Sequence, residues 1–429
     1  MKTLFNHPVP LLVAITLMMA PILLQAQQTL ELDDCYRLLE QNYPLVRQKD
    51  LLAQRTDLTQ ESIRKALLPQ VKLNAQATWQ SDVPHVPIAP PGADIPLPNK
   101  DQYRATLDVN QLLYDGGSVR NSIAVESLST QAEQQQVDVA VYQVKRSVNQ
   151  AYFSILLLQE IDKLLALAEQ NLVTQLKEVR SAIRNGIAIP STADVLQAGI
   201  LRTRQQRFEN RVDRQAALQT LGDLIGVPVD TGTVLQRPMP ESELTGSLAR
   251  PELGLYDIQK QHVDAASRVI GNNKTPKISL FAQGGYGNPG LNLLDNTFQP
   301  FFMGGVRLSW TILDWNMVND QQQALLIRKD MIDVERETFE LNTNTDLKRQ
   351  RTDIEKLAQL LRTDEEIIAL RTRVARTART QLQNGTLTAS EYLIEENALN
   401  ESLINRSVHE IRLLQAHADY KIIQGITEQ

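Results

Sequence analysis

Two patterns of apolar and polar residues take turns along the chain. From about residue 118 to 184, and again from 317 to 383, apolar side chains recur every three and four positions. Val137, Val141, Val144, Val148, Ala151, Ile155 and Leu158 make one seam, and Leu360, Ile367, Leu370 and Val374 make a similar one. This is the heptad spacing of helices packed side by side. The other faces carry Gln, Arg, Glu and Asp. A helix of roughly 67 residues is a rod about 100 Å long, which no compact domain holds. Elsewhere the period is two. Val71, Leu73, Ala75, Ala77 and Trp79 alternate with Lys72, Asn74 and Gln76, and Val306, Leu308, Trp310 and Ile312 alternate with Arg307 and Ser309. Such strands have one apolar and one wet face. They predict the pairs 69–80 with 102–114 and 276–287 with 301–314. Their length is enough to cross a bilayer obliquely, and it suits an ordinary half-buried sheet equally well. The stretch "SDVPHVPIAPPGADIPLPNK" inside the first pair is too rich in proline for a helix or a central strand, and predicts an exposed loop.

The pattern occurs twice. "PQVKLNAQATW" at 69–79 matches "PKISLFAQGGY" at 276–286, a spacing of 207 residues that Pro44 and Pro251 share. "LLYDGG" at 112–117 matches "TILDWN" at 311–316 at a spacing of 199, shared by Gly186 with Gly385 and by Gly226 with Gly425. The change in spacing falls between the two strands of each half, so one half carries the longer loop. The chain is therefore a duplication. Residues 27–226 form a first repeat, with the long helix 118–184 followed by a helix at 192–225. Residues 251–429 form the second, with the long helix 317–383 followed by a helix at 389–425. Residues 227–250 are a linker or equatorial segment. The segments 32–66 and 192–225 are each about half as long as the rod, so each half packs as one long rod against two short ones stacked end to end.

The N-terminus adds a compartment. "MKTLFNHPVPLLVAITLMMAPILLQAQ" has Lys2, an apolar core from about Val9 to Leu24 and the small Ala26, which reads as a secretory signal peptide over 1–26. The single Cys35 can form no internal disulfide, and a large exported chain without disulfides fits a bacterial envelope protein. The formal net charge of −6 argues against nucleic acid as a partner. No later segment approaches the roughly 20 apolar residues of a membrane helix, so strands must make any membrane crossing.

Chemistry is sparse. "GYGNPG" at 285–290 fits a dinucleotide-binding glycine pattern, but Pro289 and "LNLLDNTFQP" follow where a helix should begin, so it reads as a strand end and exposed loop. His409 and His417 are eight residues apart in "HEIRLLQAH", lack the i, i+4 pairing of a zinc motif, and read as surface residues. No nucleophile stands at a recognisable spacing from a base. No enzyme activity, cofactor or metal site is expected.

The two halves share a last feature: each long helix stops at Asn-Gly, in "RNGIAIPS" at 184–191 and "QNGTLTAS" at 383–390. Asn-Gly supplies a left-handed cap, and Thr386, Thr388 or Ser390 can cap the following helix, with Glu391 favouring its N-terminus. Taken alone, each is a helical hairpin.

With "LELDDCYRLLEQNYPLV" near the start, "ARPEL" opening the second half, "LLYDGG" leaving a strand for a long helix, and the tips followed by "STADVL" and "SEYL", the chain resembles the TolC family of outer membrane channel proteins over essentially its whole exported length. The resemblance implies a mainly α fold with membrane β. Four strands cannot close a barrel, but a homotrimer supplies a 12-stranded β-barrel in outer membrane lipid, continued by a 12-helix α-barrel across the periplasm. It implies a passive channel of a tripartite efflux pump or type I secretion system, serving a periplasmic adaptor protein and an inner membrane pump driven by protons or by ATP. The alternative is a periplasmic coiled-coil adaptor or scaffold.

The same resemblance implies site residues. Adaptor docking falls on Asn185, Gly186, Ile187, Ala188 and Ile189 in the first tip and Asn384, Gly385, Thr386, Leu387 and Thr388 in the second. Acidic rings narrow the tube just past the tip in the family. The acids here are Asp194, Glu391 and Glu395, and a solvated face accounts for each equally well. The tyrosine and arginine that brace the closed state in the better-known pattern fall on Leu382 and Leu387, so that bracing network is expected to be absent.

Overall fold

The computed structural model describes residues 29–84, 97–239, 246–293 and 295–426. The expected signal peptide, most of the proline-rich loop and part of the 227–250 segment lie outside the described residues. The chain runs β1 (Thr29–Leu30), α1 (Leu32–Asn42), α2 (Gln48–Arg64), β2 (Gln70–Trp79), β3 (Asp101–Tyr114), α3 (Ser118–Arg184), α4 (Pro190–Ile225), β4 (Val234–Leu235), α5 (Pro251–Gly271), β5 (Lys277–Asn288), β6 (Gln299–Ser309), α6 (Met317–Gln383) and α7 (Ala389–Gln424).

Each long helix starts on the same device. Asp115 Oδ1 accepts from Gly117 N at 2.8 Å while its Oδ2 accepts from Val119 N at 2.6 Å. Asp314 accepts from Asn316 N at 3.0 Å and Val318 N at 3.2 Å. Gly117 and Asn316 hold left-handed φ values of 88° and 72° just before α3 and α6. A carboxylate that accepts the first free helix N–H groups fixes both the start and the direction of the rod.

The short helices then stack along the rods. Against α3, α2 lies beside the part nearest the sheet, where Thr56 meets Thr130 and Arg55 pairs with Glu133 at 2.8 Å. Against the far part, α4 is held by Arg204 to Glu169 at 2.7 Å and by Asn210 Nδ2 donating to the Leu158 carbonyl at 2.9 Å. In the second half, Lys260 of α5 pairs with Asp333 of α6 at 2.6 Å, and Gln350 Nε2 of α6 donates to Ala416 O of α7 at 3.1 Å. The main apolar core sits midway. There Tyr152, Phe153, Ile155 and Leu156 of α3 pack against Leu39 of α1, Leu218 and Leu221 of α4 and Ile411 of α7. Beside it β1 pairs in parallel with β4. The Tyr152 hydroxyl lies 2.9 Å from Leu30 O and 2.7 Å from Gln236 O, pinning both segments to the rod.

The remaining strands form one antiparallel sheet, in the order β2-β3-β5-β6. Among the described residues no helix is long and apolar enough to cross a membrane.

Several expectations change. The helix over 32–66 breaks at Tyr43–Pro44, because Pro44 has no N–H to donate and disfavours helical backbone before it. The last strand ends at Ser309 instead of 314. Its partner β5 begins at Lys277, opposite Ser309, so the residues beyond have nothing to pair with there. The "GYGNPG" stretch is not an exposed loop throughout. β5 continues to Asn288, Gly287 is paired with Arg104 on one side and Gln299 on the other, and Gly287 to Gly290 are buried. His409 and His417 are half-buried, not surface residues. His409 Nδ1 lies 2.7 Å from Asp364 Oδ2 on α6, and burial together with the Lys421 charge lowers the pKa of His417.

Candidate functional site

Two surfaces stand out, one at each end of the rods. The first is the sheet. Register places Val71, Leu73 and Ala75 opposite Val109, Leu107 and Ala105, and carries that face on through Ala282, Gly284 and Tyr286 to Gly304, Phe302 and Pro300. Leu73 is 77 % exposed and Phe302 73 %, and Trp79, Val306 and Leu308 are exposed on the same face. The opposite face is mostly polar, with Phe281, Phe301 and Met303 among its apolar members. There Asp108 accepts hydrogen bonds from Asn74, Gln283 and, at 3.1 Å, Thr106. Strands that alternate with period two send successive side chains to opposite faces, and in this sheet the more apolar face is bare. The outer strands β2 and β6 are edges, each with a row of backbone groups that no other strand among the described residues pairs.

The second surface is the pair of tips. Both long helices end in a Schellman turn. Gly186 N donates to Ile183 O at 3.0 Å and Ile187 N to Ala182 O at 2.9 Å. Gly385 N donates to Leu382 O at 3.1 Å and Thr386 N to Gln381 O at 2.9 Å. The two glycines have φ of 70° and 72°. This double bond satisfies carbonyls that a helix end leaves open.

The turns then diverge. In the first, Ile187 and Ile189 are 71 % and 67 % exposed, Ala188 is half-buried, and α4 begins on Pro190 with no side-chain cap. In the second, Thr386 is exposed, Leu387 is half-buried, and Thr388 and Glu391 form a reciprocal capping box. The Thr388 hydroxyl accepts from Glu391 N at 3.2 Å, and Glu391 Oε2 accepts from Thr388 N at 3.0 Å. Those bonds from Thr388 hold the Glu391 carboxyl below the usual carboxylate range. Asp194 is exposed on the second turn of α4. Glu395 is half-buried and pairs with Arg371 at 3.4 Å. The three acids expected to line a gate are therefore in three different settings, and among the described residues Asp194 has no side-chain hydrogen bond or ion pair.

An apolar cluster ties the two hairpins together just behind the tips. It joins Leu172 and Leu176 of α3, Leu196 and Ile200 of α4, Leu382 of α6 and Tyr392 of α7, with Leu387 packed against it. Leu382 and Leu387 thus supply apolar contact where a polar brace was expected to be missing. Sequence reasoning passed over Tyr392, which belongs to this cluster, and Arg379 and Glu396 beside it. Glu396 is almost fully buried, 3.6 Å from Arg379 Nη2, and Asn171 Nδ2 donates to it at 3.5 Å. Burial and the Glu396 charge push the Tyr392 phenol up to about 12. The 199-residue repeat could have found the pair, since it maps Arg379 and Glu396 onto Arg180 and Gln197, which face each other at 3.5 Å in the first hairpin.

The comparisons agree with this geometry. Residues 35–227 match the family model for outer membrane efflux proteins. The fold matches the outer membrane protein VceC of Vibrio cholerae, with a TM-score of 0.63, 14 % identity, and coverage of 93 % of this chain and 97 % of that one. It matches the CmeC outer membrane channel of Campylobacter jejuni with a TM-score of 0.62, 13 % identity, and 92 % and 85 % coverage. It also matches the open state of the MtrE outer membrane channel of Neisseria gonorrhoeae, with a TM-score of 0.61, 18 % identity, and 92 % and 89 % coverage. No curated protein matches the chain in sequence.

Proposed function

We propose that this chain, which carries an outer membrane efflux protein domain and has the fold of the outer membrane channels, is one third of a passive export duct in the bacterial outer membrane. The observation that carries the reading is the sheet: four strands with one bare apolar face and two open edges. A bare apolar face is a liability in water, and open edges are not tolerable in lipid. Three copies, each pairing its β2 with the β6 of a neighbour, close a twelve-stranded barrel whose apolar face meets lipid and whose polar face lines water. The rods then continue the tube into the periplasm for about 100 Å. A periplasmic scaffold would have no use for the bare sheet face.

In this reading residues 1–26 direct export and are removed, and the two repeats, 27–226 and 251–429, are joined by an equatorial segment. The tips, at Asn185 to Ile189 and Asn384 to Thr388, dock a periplasmic adaptor joined to an inner membrane pump. Cargo crosses when the hairpins part. Closure rests on apolar packing of Leu382 and Leu387 with Tyr392, with Asp194 the acid free to face the lumen.

Fractionation and conductance test the proposal together. The protein should collect in the outer membrane as a trimer that resists mild detergent and falls apart on boiling. It should also give discrete ion currents in a planar bilayer. A soluble monomer without channel activity would overturn it.

A further inference from the structure

The polar face of the sheet carries a construction that membrane closure alone does not need. Phe301 of β6 lies opposite Gly285 of β5, and its ring covers that glycine so closely that a Cβ there would come within 2.4 Å of it. Four positions along, the roles exchange: Phe281 of β5 lies opposite Gly305 of β6, where an added Cβ would sit 3.1 Å from the ring. The glycines let both rings lie down on the wall. On each ring sits a guanidinium, that of Arg104 5.6 Å from the Phe301 centroid and that of Arg307 4.9 Å from the Phe281 centroid. Both arginines are exposed.

A guanidinium stacked on a ring is held flat with its edge N–H groups free, which is the posture that binds carboxylate, sulfonate or phosphate oxygens. The charge around them points the same way. On this face the strands carry Lys72, Arg104, Lys277 and Arg307 against the single acid Asp108. That carboxylate is already occupied by Asn74, Gln283 and Thr106. Among the described residues neither arginine is in salt-bridge range of an acid.

We infer that the membrane barrel is an anion-binding section of the duct, and that Arg104 and Arg307, seated on Phe301 and Phe281, recognise anionic groups of the cargo as it leaves. This rests on the channel reading, which turns the polar face toward the lumen. The overall charge of the chain is negative, so the cationic wall is local, and local charge on the wall of a passage governs which ions collect there.

The test is a block experiment on the intact trimer in a planar bilayer. Inositol hexakisphosphate is added on the side of the barrel mouth, away from the helical tips. The wild-type channel should be blocked in a voltage- and salt-dependent way. In the double variant Arg104→Gln, Arg307→Gln the half-blocking concentration should rise by about tenfold or more, while Arg104→Lys, Arg307→Lys should keep part of the block. Each single Gln variant should give an intermediate shift and carries the test if the double variant does not assemble. Equal block of wild type and Gln variants, or no block of an otherwise normal channel, overturns the inference. A wild-type trimer that passes no current overturns the channel reading instead.

Discussion

Arg379 reaches Glu396 across the second helical hairpin at 3.6 Å, and the carboxylate it meets is only 2 % exposed. The first hairpin has the same arginine on a neutral acceptor, Arg180 to Gln197. The two partners should therefore respond unequally to mutation. Glu396→Gln copies the first hairpin, removes a buried charge and leaves a half-exposed arginine that water can solvate, so its cost should stay within about 1 kcal/mol. Arg379→Met leaves a buried carboxylate beside the apolar cluster and should cost about 3 kcal/mol, the low end for an orphaned buried charge because the arginine was itself partly exposed. Denaturant unfolding of the purified trimer measures both. Equal losses would mean that the pair does not act through Glu396 burial.

The tip glycines give a cleaner case. An added Cβ at Gly186 or Gly385 would meet nothing within 4 Å, and both residues have φ near +70°. Alanine at either position then costs only the left-handed conformation, about 1–2 kcal/mol, with no steric part. Asparagine, which tolerates that region, should recover most of the loss. Hydrogen exchange at the last turns of α3 and α6 reads the effect. A much larger loss at one glycine than the other would reveal a contact that the single chain does not make.

How far these features were legible beforehand depended on their range. The heptad seams, the period-two strands and the Asn-Gly stops are local signals, and the two repeat spacings tied them into one architecture. Features set by a partner in space were not legible. The strand expected to reach 314 stops at Ser309 because β5 offers no residue beyond Lys277. Glu391 was a candidate gate acid only through the family resemblance, and its part in the capping box of α7 came from the structure. The Arg379–Glu396 pair was visible only through the repeat, since neither residue has a telling neighbour in sequence. Leu382 and Leu387 read as the loss of a brace, yet both pack on the cluster that joins the hairpins.

The sheet makes a prediction about lipid. Leu73 is 77 % exposed on the bare face, opposite Leu107 in the middle of β2. Leu73→Arg should cost about 2–4 kcal/mol at the bilayer midplane, and a trimer carries the change three times. Boil-sensitive trimers should disappear from the outer membrane fraction. The same substitution at Asn74, on the polar face, should leave assembly intact. If Leu73→Arg assembled as well as Asn74→Arg, the face assignment would be wrong.

The second tip, finally, should be sensitive to acid in a way the first is not. Thr388 and Glu391 cap α7 reciprocally, and α4 has no side-chain cap. Thr388→Ala removes the acceptor for Glu391 N and should cost about 1 kcal/mol of local stability. Because hydrogen bonds from Thr388 hold the folded Glu391 carboxyl below its unfolded value, the contribution of the box is fully present above the unfolded carboxylate range. It fades as pH falls through the folded pKa, where protonation removes the charge those bonds favour. Amide exchange at 388–392, compared between pH 7 and about pH 3 with the chemical rate corrected, should therefore show protection falling on acidification in the wild type. The drop should be smaller in Thr388→Ala and absent at 189–193. An equal loss at both tips would trace the acid response to the hairpins as a whole, and would detach it from the carboxylate that caps α7.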